Sequence, residues 1–397
     1  MRTLTWTAVV VLAAANWEEE CQSEEVDVWP EGFVVQISPK DGVALDSAWL
    51  RNWTQEKKEC LKSAFFEHGV LLFRGFAIPD ARAFEEVALA FVPNLEKAYL
   101  GTSPRSQING TSYVFTAADF QPHRTVPVHI EMSFRDSPPA TQLFYAQRVD
   151  QWRGGETPLT DFHQVWEQLR NDRRVGPHFE QQKVKYRRNM DDCSSTSQFD
   201  PLVQKCWQMM FKDEKDAKEN CLEEGFHCSW DTSTNRLTLL NEQPFVRPHP
   251  ITGQPIWYNH INVLHGQMMP GDYARTARLW DGPWSLWPTA LSLYYRLLFN
   301  IYGLFVPEAE MGSTATKGSG EAFTTEELQA MKNAIHAHTV NHKYQANDIV
   351  MVDNHRVGHG REIYLGPKES RVIYTAWSNH YPPSWQNTCA AGAACHG

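Results

Sequence analysis

The chain has 397 residues, 37 Lys plus Arg against 47 Asp plus Glu, a net charge of -10, and 42% hydrophobic residues. That composition is globular, and an acidic chain without a Lys/Arg block lacks the cationic footprint of a sequence-independent nucleic-acid binder. No apolar run reaches the ~18–20 residues that span a bilayer.

Met1 to Asn16 carries Arg2, an apolar stretch from Leu4 to Ala15 ending in three alanines, and then polar Glu18-Glu19-Glu20. The pattern fits a secretory signal peptide cleaved near Ala15, with an organelle leader as the alternative. Eight cysteines follow. Four (Cys193, Cys206, Cys221 and Cys228) cluster without a CxxC knuckle, which favours two local disulfides over a zinc ribbon. A third is expected at Cys389–Cys395. Asn52-Trp53-Thr54 and Asn109-Gly110-Thr111 are acceptor sequons, usable if the chain is secreted.

Residues 17–45 read as irregular. Thr54 to His68 has helical periodicity with Gly69 as its stop, and Val70–Phe73 is a short apolar run, a buried strand. Pro79-Asp80-Ala81 opens a helix to about Phe91. From Val126, apolar Val128, Ile130 and Met132 alternate with His129, Glu131 and Ser133, the period of a strand. Gln142–Val149 is another strand, Gly154-Gly155 a tight turn, and Asp161 caps a helix to Leu169. Gln182–Tyr186 is a weaker strand, and 193–235 reads as a loop-and-helix insertion held by disulfides. Thr324 and Glu327 have capping-box spacing for a helix through His336. Strands are expected at Ile349–Val352 and Val372–Trp377. Short strands with early and central helices point to a mainly β fold, a barrel or jelly-roll core with helical supports.

His129-Ile130-Glu131 carries the chemistry. On a strand, i and i+2 share a face, so an imidazole and a carboxylate converge on one cation. A third ligand comes from the loop after the 349–352 strand, where His359 lies between Gly358 and Gly360, and His355 is its rival. Two His and one carboxylate form the facial set that leaves positions open on Fe(II). Arg371 enters an apolar strand, where a guanidinium suits the far carboxylate of a bound dicarboxylate.

With these residues in order, the chain resembles the Fe(II)/2-oxoglutarate dioxygenases of the taurine dioxygenase and clavaminate synthase-like superfamily. The matching segments are Glu67–Phe76, His129–Ser133, Gly154–Leu159 and Asp348–Arg371. The resemblance implies a distorted double-stranded β-helix over a single domain, residues 16–385, with an insertion near 190–235 and a Gly/Ala/Cys tail at 386–397. It implies iron on His129, Glu131 and His359, and 2-oxoglutarate held by Arg371 with help from Thr157. O2 is the further co-substrate, with release of succinate and CO2 and hydroxylation of a small, amino-acid-like molecule. A halogenase is disfavoured because Glu131 is present. Some relatives carry a second basic residue four positions after the anchoring Arg, and here that position is Thr375.

Competing readings are a zinc hydrolase on the same three ligands, which leaves Arg371 and Thr157 without a role, and a silent β-sandwich that binds a ligand. Asp353 and Asn354 are candidates to orient His359. His336, His338 and His342 read as a solvated helix end. Trp257, Tyr258 and Asn259, with His260–His265 beyond them, are candidates for a substrate pocket, and Trp280–Trp287 reads as a Trp-rich loop.

Overall fold

The structure, a computed structural model, describes residues 25–39, 46–97, 105–117, 121–195, 206–223 and 225–386. The expected leader at 1–15 and the tail with Cys389 and Cys395 lie outside the described residues.

Two sheets share one core. The larger has seven strands in the order Glu25–Val28, Val34–Ser38, Val70–Phe73, Ile349–Asp353, Thr141–Val149, Arg371–Ser378 and Phe115–Thr116. The smaller runs Thr339–His342, Thr157–Asp161, Val357–Arg361 and Val126–His129. Val34–Ser38 lies parallel to Val70–Phe73, and the other ladders of both sheets are antiparallel. C-terminal strands are inserted between early ones, so residues some 230 positions apart become neighbours. Leu72, Phe144, Val350 and Ile373 of the larger sheet pack against Leu159, Val340 and Val357 of the smaller.

Helices seal the outer faces. Gln55–His68 and Ala81–Phe91 cover the larger sheet, packing Phe65 and Phe84 with Leu71, Tyr145 and Met351. Phe162–Leu169 and Thr325–Ala337 cover the smaller, with Trp166 and Met331 against Val128. A strand buried on both faces reads as a continuous apolar run, which is why Val70–Phe73 shows no alternation. The helix ends follow the local signals. Thr54 accepts from the Lys57 N–H and Asp80 from the Ala83 N–H. Asp161 accepts from His163 and Gln164. Thr324 and Glu327 form the reciprocal capping box, and Gly69 ends its helix at φ 96°.

Several expectations are corrected. Residues 25–28 and 34–38, read as irregular, form the edge of the larger sheet. The strand from Val126 stops at His129. The weak strand at 182–186 is an eight-residue strand, Lys183–Met190, in a third sheet with Ser313–Lys317, Arg236–Pro244 and His227–Asp231. The cysteine-bearing segment therefore contributes a strand as well as the helix Glu214–Glu223. Within it Cys193 and Cys206 (Cα–Cα 4.9 Å) and Cys221 and Cys228 (6.2 Å) lie at disulfide distance. Trp280–Trp287 is a 3-10 turn running into a 20-residue helix, Leu286–Phe305, which packs on Met269–Leu279. No helix among the described residues is long and apolar enough to cross a membrane. His342 is not on a solvated helix end but buried in the Thr339–His342 strand.

Burial governs the histidines. It pulls His265 and His359 down to about 4 and His342 to about 3, and it also lowers His260, His336, His338 and His355. For His342 the charges of Arg74 and Arg371 add to the effect of burial, although Asp348 is 3.5 Å away. Burial raises the carboxyls of Glu156, Asp272 and Asp348, a smaller opposing set. A histidine depressed in the folded state takes up its proton on unfolding between its folded value and about 6.5. Stability of the metal-free protein is therefore expected to fall as pH drops from 7 to 5, by about 1.4 kcal/mol per pH unit for each net proton. Urea midpoints at the two pH values measure it, and equal midpoints would contradict the balance.

Candidate metal and 2-oxoglutarate site

The cross-strand register builds the site. His359 stands opposite His129 on one side and Leu159 on the other, so their side chains share the inner face of the smaller sheet. Thr157, two residues before Leu159, lies on that face as well. A Cβ on residue 358 would come 2.3 Å from the Phe162 ring, and one on residue 360 would come 2.5 Å from the Val126 carbonyl. Glycine at both positions is what lets the two strands close on each other. The two imidazole centroids are 4.7 Å apart.

Glu131 arrives by another route than expected. The chain leaves the ladder after His129 and turns, with Met132 at φ 53° and hydrogen bonds from Ser133 to Ile130 and from Arg135 to Met132. The turn brings Glu131 Oε2 to 3.7 Å from His129 Nε2 and 3.6 Å from His359 Nε2. One donor atom from each of the three lies within 4.8 Å of the others. His355, the rival, is not in this group; its ring packs against Tyr258, His249 and Tyr381.

Asn354 fixes that turn. Its Oδ1 accepts the Glu131 N–H at 2.8 Å, while its Nδ2 donates to the carbonyls of Glu131 (3.1 Å) and Pro139 (2.7 Å). Asn354 thus serves the carboxylate and not His359. Asp353 also faces away, binding His249 Nε2 at 2.9 Å and the Tyr381 hydroxyl at 2.6 Å. The His129 Nδ1–H donates to the Pro127 carbonyl at 2.8 Å, which turns the lone pair of Nε2 into the site.

The electrostatics suit a cation. Burial pushes the Glu131 carboxyl up, but Arg105 and the two imidazoles outweigh it and hold the group well below the usual carboxylate range. Arg105 donates to Glu131 Oε2 at 3.0 Å and lies 5.9 Å from the Trp377 ring. No motif announces Arg105. His260 also borders the site, 5.4 Å from the His129 ring and 3.1 Å from Ser133 Oγ, whereas its neighbours Trp257 and Tyr258 pack into the core. Two imidazoles and one ionised carboxylate are a donor set that fits Fe(II).

Arg371 begins the Arg371–Ser378 strand, which belongs to the larger sheet. Its Nε donates to the Gly155 carbonyl at 2.9 Å and its Nη2 to Thr157 Oγ1 at 3.2 Å. Gly155 has φ 77°, and a Cβ there would meet the Tyr364 ring at 2.7 Å and Arg371 Cδ at 3.1 Å. Gly154 forms an isolated bridge with Tyr364 and not the expected tight turn, and Gly155 beside it is the seat of the guanidinium. Thr375 contributes no polar group to it, since its hydroxyl donates to the Leu143 carbonyl.

The chain matches the taurine catabolism dioxygenase TauD, TfdA family over residues 35–377, and it belongs to that family. Its members are Fe(II)- and 2-oxoglutarate-dependent dioxygenases that consume O2, and this chain is an enzyme of that class. Among curated relatives, the dapdiamide synthesis protein DdaC of Enterobacter agglomerans is 25% identical over 308 residues, covering 77% of this chain and 82% of that one. A clavaminate synthase-like protein of Arabidopsis thaliana is 28% identical over 244 residues, 58% of this chain and 70% of the relative. Among solved structures, PvcB of Pseudomonas aeruginosa aligns over 90% of this chain and 92% of its own, with TM-score 0.49 and 15% identity.

Asn354→Ala is expected to free the turn that carries Glu131 while leaving both imidazoles in place. Loss of an outer partner of a ligand typically costs 10–100-fold in metal affinity, so roughly that loss should appear in a Mn(II) titration. Unchanged affinity would show that the turn holds itself.

Proposed function

We propose that His129, Glu131 and His359 ligate Fe(II), and that Arg371 and Thr157 receive the distal carboxylate of 2-oxoglutarate. The observation that carries this reading is the meeting of three donor atoms from two strands and a turn within 4.8 Å. A guanidinium anchored by Gly155 and Thr157 lies between the same two sheets. The scaffold is read as a double-stranded β-helix, or jelly roll, within one catalytic domain at 16–385, and the close cysteine pairs as disulfides. That reading and the exposed Asn52 and Asn109 sequons fit passage through the secretory pathway.

Iron and 2-oxoglutarate, when bound, supply the activation of O2 and the oxidising power. The protein's own groups do the rest. Glu131 meets the metal already ionised, because Arg105 and the imidazoles keep its proton off. His359, depressed by burial to about 4, offers a neutral ring at physiological pH. His129 is held in the tautomer that points Nε2 inward. Arg371 gives a planar pair of donors to an incoming carboxylate, and the apolar wall of Phe144, whose ring lies 4.9 Å from that of His359, keeps bulk water from the ligands. The substrate is read as a small, amino-acid-like molecule that becomes hydroxylated, a reading supported by the relative named for dapdiamide synthesis.

Succinate formation from 2-oxoglutarate with Fe(II), O2 and ascorbate is the direct test, run with a panel of amino acids and amines for stimulation. His129→Ala is expected to abolish this turnover, and retained turnover would remove His129 from the site. Arg371→Ala should raise the apparent 2-oxoglutarate requirement at least roughly tenfold with little change in Mn(II) binding. Equal dependence on 2-oxoglutarate would point to another anchor.

A further inference from the structure

The helix Leu286–Phe305 has a face that nothing in the described structure covers. Its inner side is sealed: the Tyr273 and Tyr295 rings stack at 5.1 Å, Ser292 Oγ donates to the Pro270 carbonyl, and Phe299 is buried. Its outer side presents Leu286, Leu293, Leu297, Ile301, Leu304 and Phe305, with Leu304 and Phe305 each 80% exposed. Their spacing follows the 3.6-residue turn, so the stripe runs straight for about 30 Å. With Trp284, Trp287 and Tyr294 beside it, this apolar face amounts to roughly 1,000 Å². The largest patch on an ordinary monomer is about 300–600 Å², and each partner in a standard interface gives about 800 Å².

We propose that this helix is the contact face of a twofold homodimer. The area matches one partner's share of a stable interface, and a straight stripe on a single helix can meet its own copy across a twofold axis. Composition separates this occupant from a bilayer. Arg296 is the one charged residue between Gly282 and Phe305. At the edge stands Arg153, over the Trp284 ring at 5.2 Å. Exposed aromatics and Arg, with Lys and Glu lacking, are the signature of protein–protein contact. A membrane-surface helix instead carries a Lys/Arg-rich polar face opposite its apolar one, and here the opposite face is core. The chain's net charge of -10 adds repulsion from anionic lipid.

Sedimentation equilibrium of the full chain at micromolar concentration tests this. The wild type is expected at twice the chain mass. Leu293→Asp and Leu297→Asp should each weaken the dimer at least about tenfold, with the circular-dichroism spectrum and 2-oxoglutarate turnover retained. Should either variant lose its spectrum, Leu304→Gln at the helix end carries the same test without adding a charge. A wild type at single-chain mass overturns the proposal, as does a dimer indifferent to these substitutions. A single-chain wild type that binds phosphatidylcholine vesicles overturns it in favour of a membrane surface.

Discussion

The pairing of His359 with His129 across an antiparallel ladder is the constraint on which the site rests. Directly opposed residues on one face keep their Cβ atoms about 4.5–5.5 Å apart, close enough for two imidazoles to reach one ion. A slip of one residue would turn one of them to the far side of the sheet. The register is guarded by packing. Gly358 faces the Phe162 ring and Gly360 the Val126 carbonyl so closely that only hydrogen fits at either position. The carboxylate does not come from the same ladder, because the strand ends at His129. A turn folds it back instead, and the left-handed Met132 marks where the chain reverses.

The same short segment delivers one imidazole and restrains the carboxylate. Between the strands Ile349–Asp353 and Val357–Arg361, the chain crosses from the larger sheet to the smaller. Asn354 in that crossing takes three hydrogen bonds to the backbone around Glu131 and Pro139. Asp353 pins the crossing from behind through His249 and Tyr381. Arg356 ties its far end to Asp161 at 2.7 Å and to the Glu67 carbonyl at 2.6 Å. All of these side chains except His355 are buried, so breaking one strands polar partners away from water. Rigidity here has a chemical use, since ligand atoms must sit before the metal comes.

Signals that act within a few residues were legible in the sequence. Thr54, Asp80, Asp161 and Thr324 cap the helices they precede, because each needs only its neighbours' geometry, whereas Gly154 pairs with distant Tyr364 instead of forming the expected tight turn. The meeting of His129, Glu131 and His359 was legible because residue types and spacing both pointed to it, although the strand assumed for Glu131 is a turn. What stayed hidden depended on distant partners. Asp353 and Asn354 stand beside His355, yet their hydrogen bonds go to Tyr381 and to Glu131, in segments no local rule connects. The strand Val34–Ser38 looked irregular because its pairing partner is Val70–Phe73. The helix Leu286–Phe305 carries apolar residues on both its sealed and its open sides, which erases the polar stripe that marks an ordinary surface helix.

The division between sheet and border also explains which parts of the family pattern hold here. Thr375 stands where some relatives are basic, but its hydroxyl is spent on Leu143 inside the larger sheet, and its side chain is fully buried. A cation in its place would bring a charge into the core. The guanidinium beside the metal group comes instead from Arg105, outside the smaller sheet, and the extra imidazole from His260, at the head of a short helix. Sheet positions are fixed by register and volume, which keeps His129, His359, Thr157 and Arg371 in recognisable order, while Glu131 depends on a turn. Border positions lie outside that register and are freer to vary. The three candidate ligands could therefore be read from a linear pattern, while Arg105 and His260 beside them could be found only once the chain was folded.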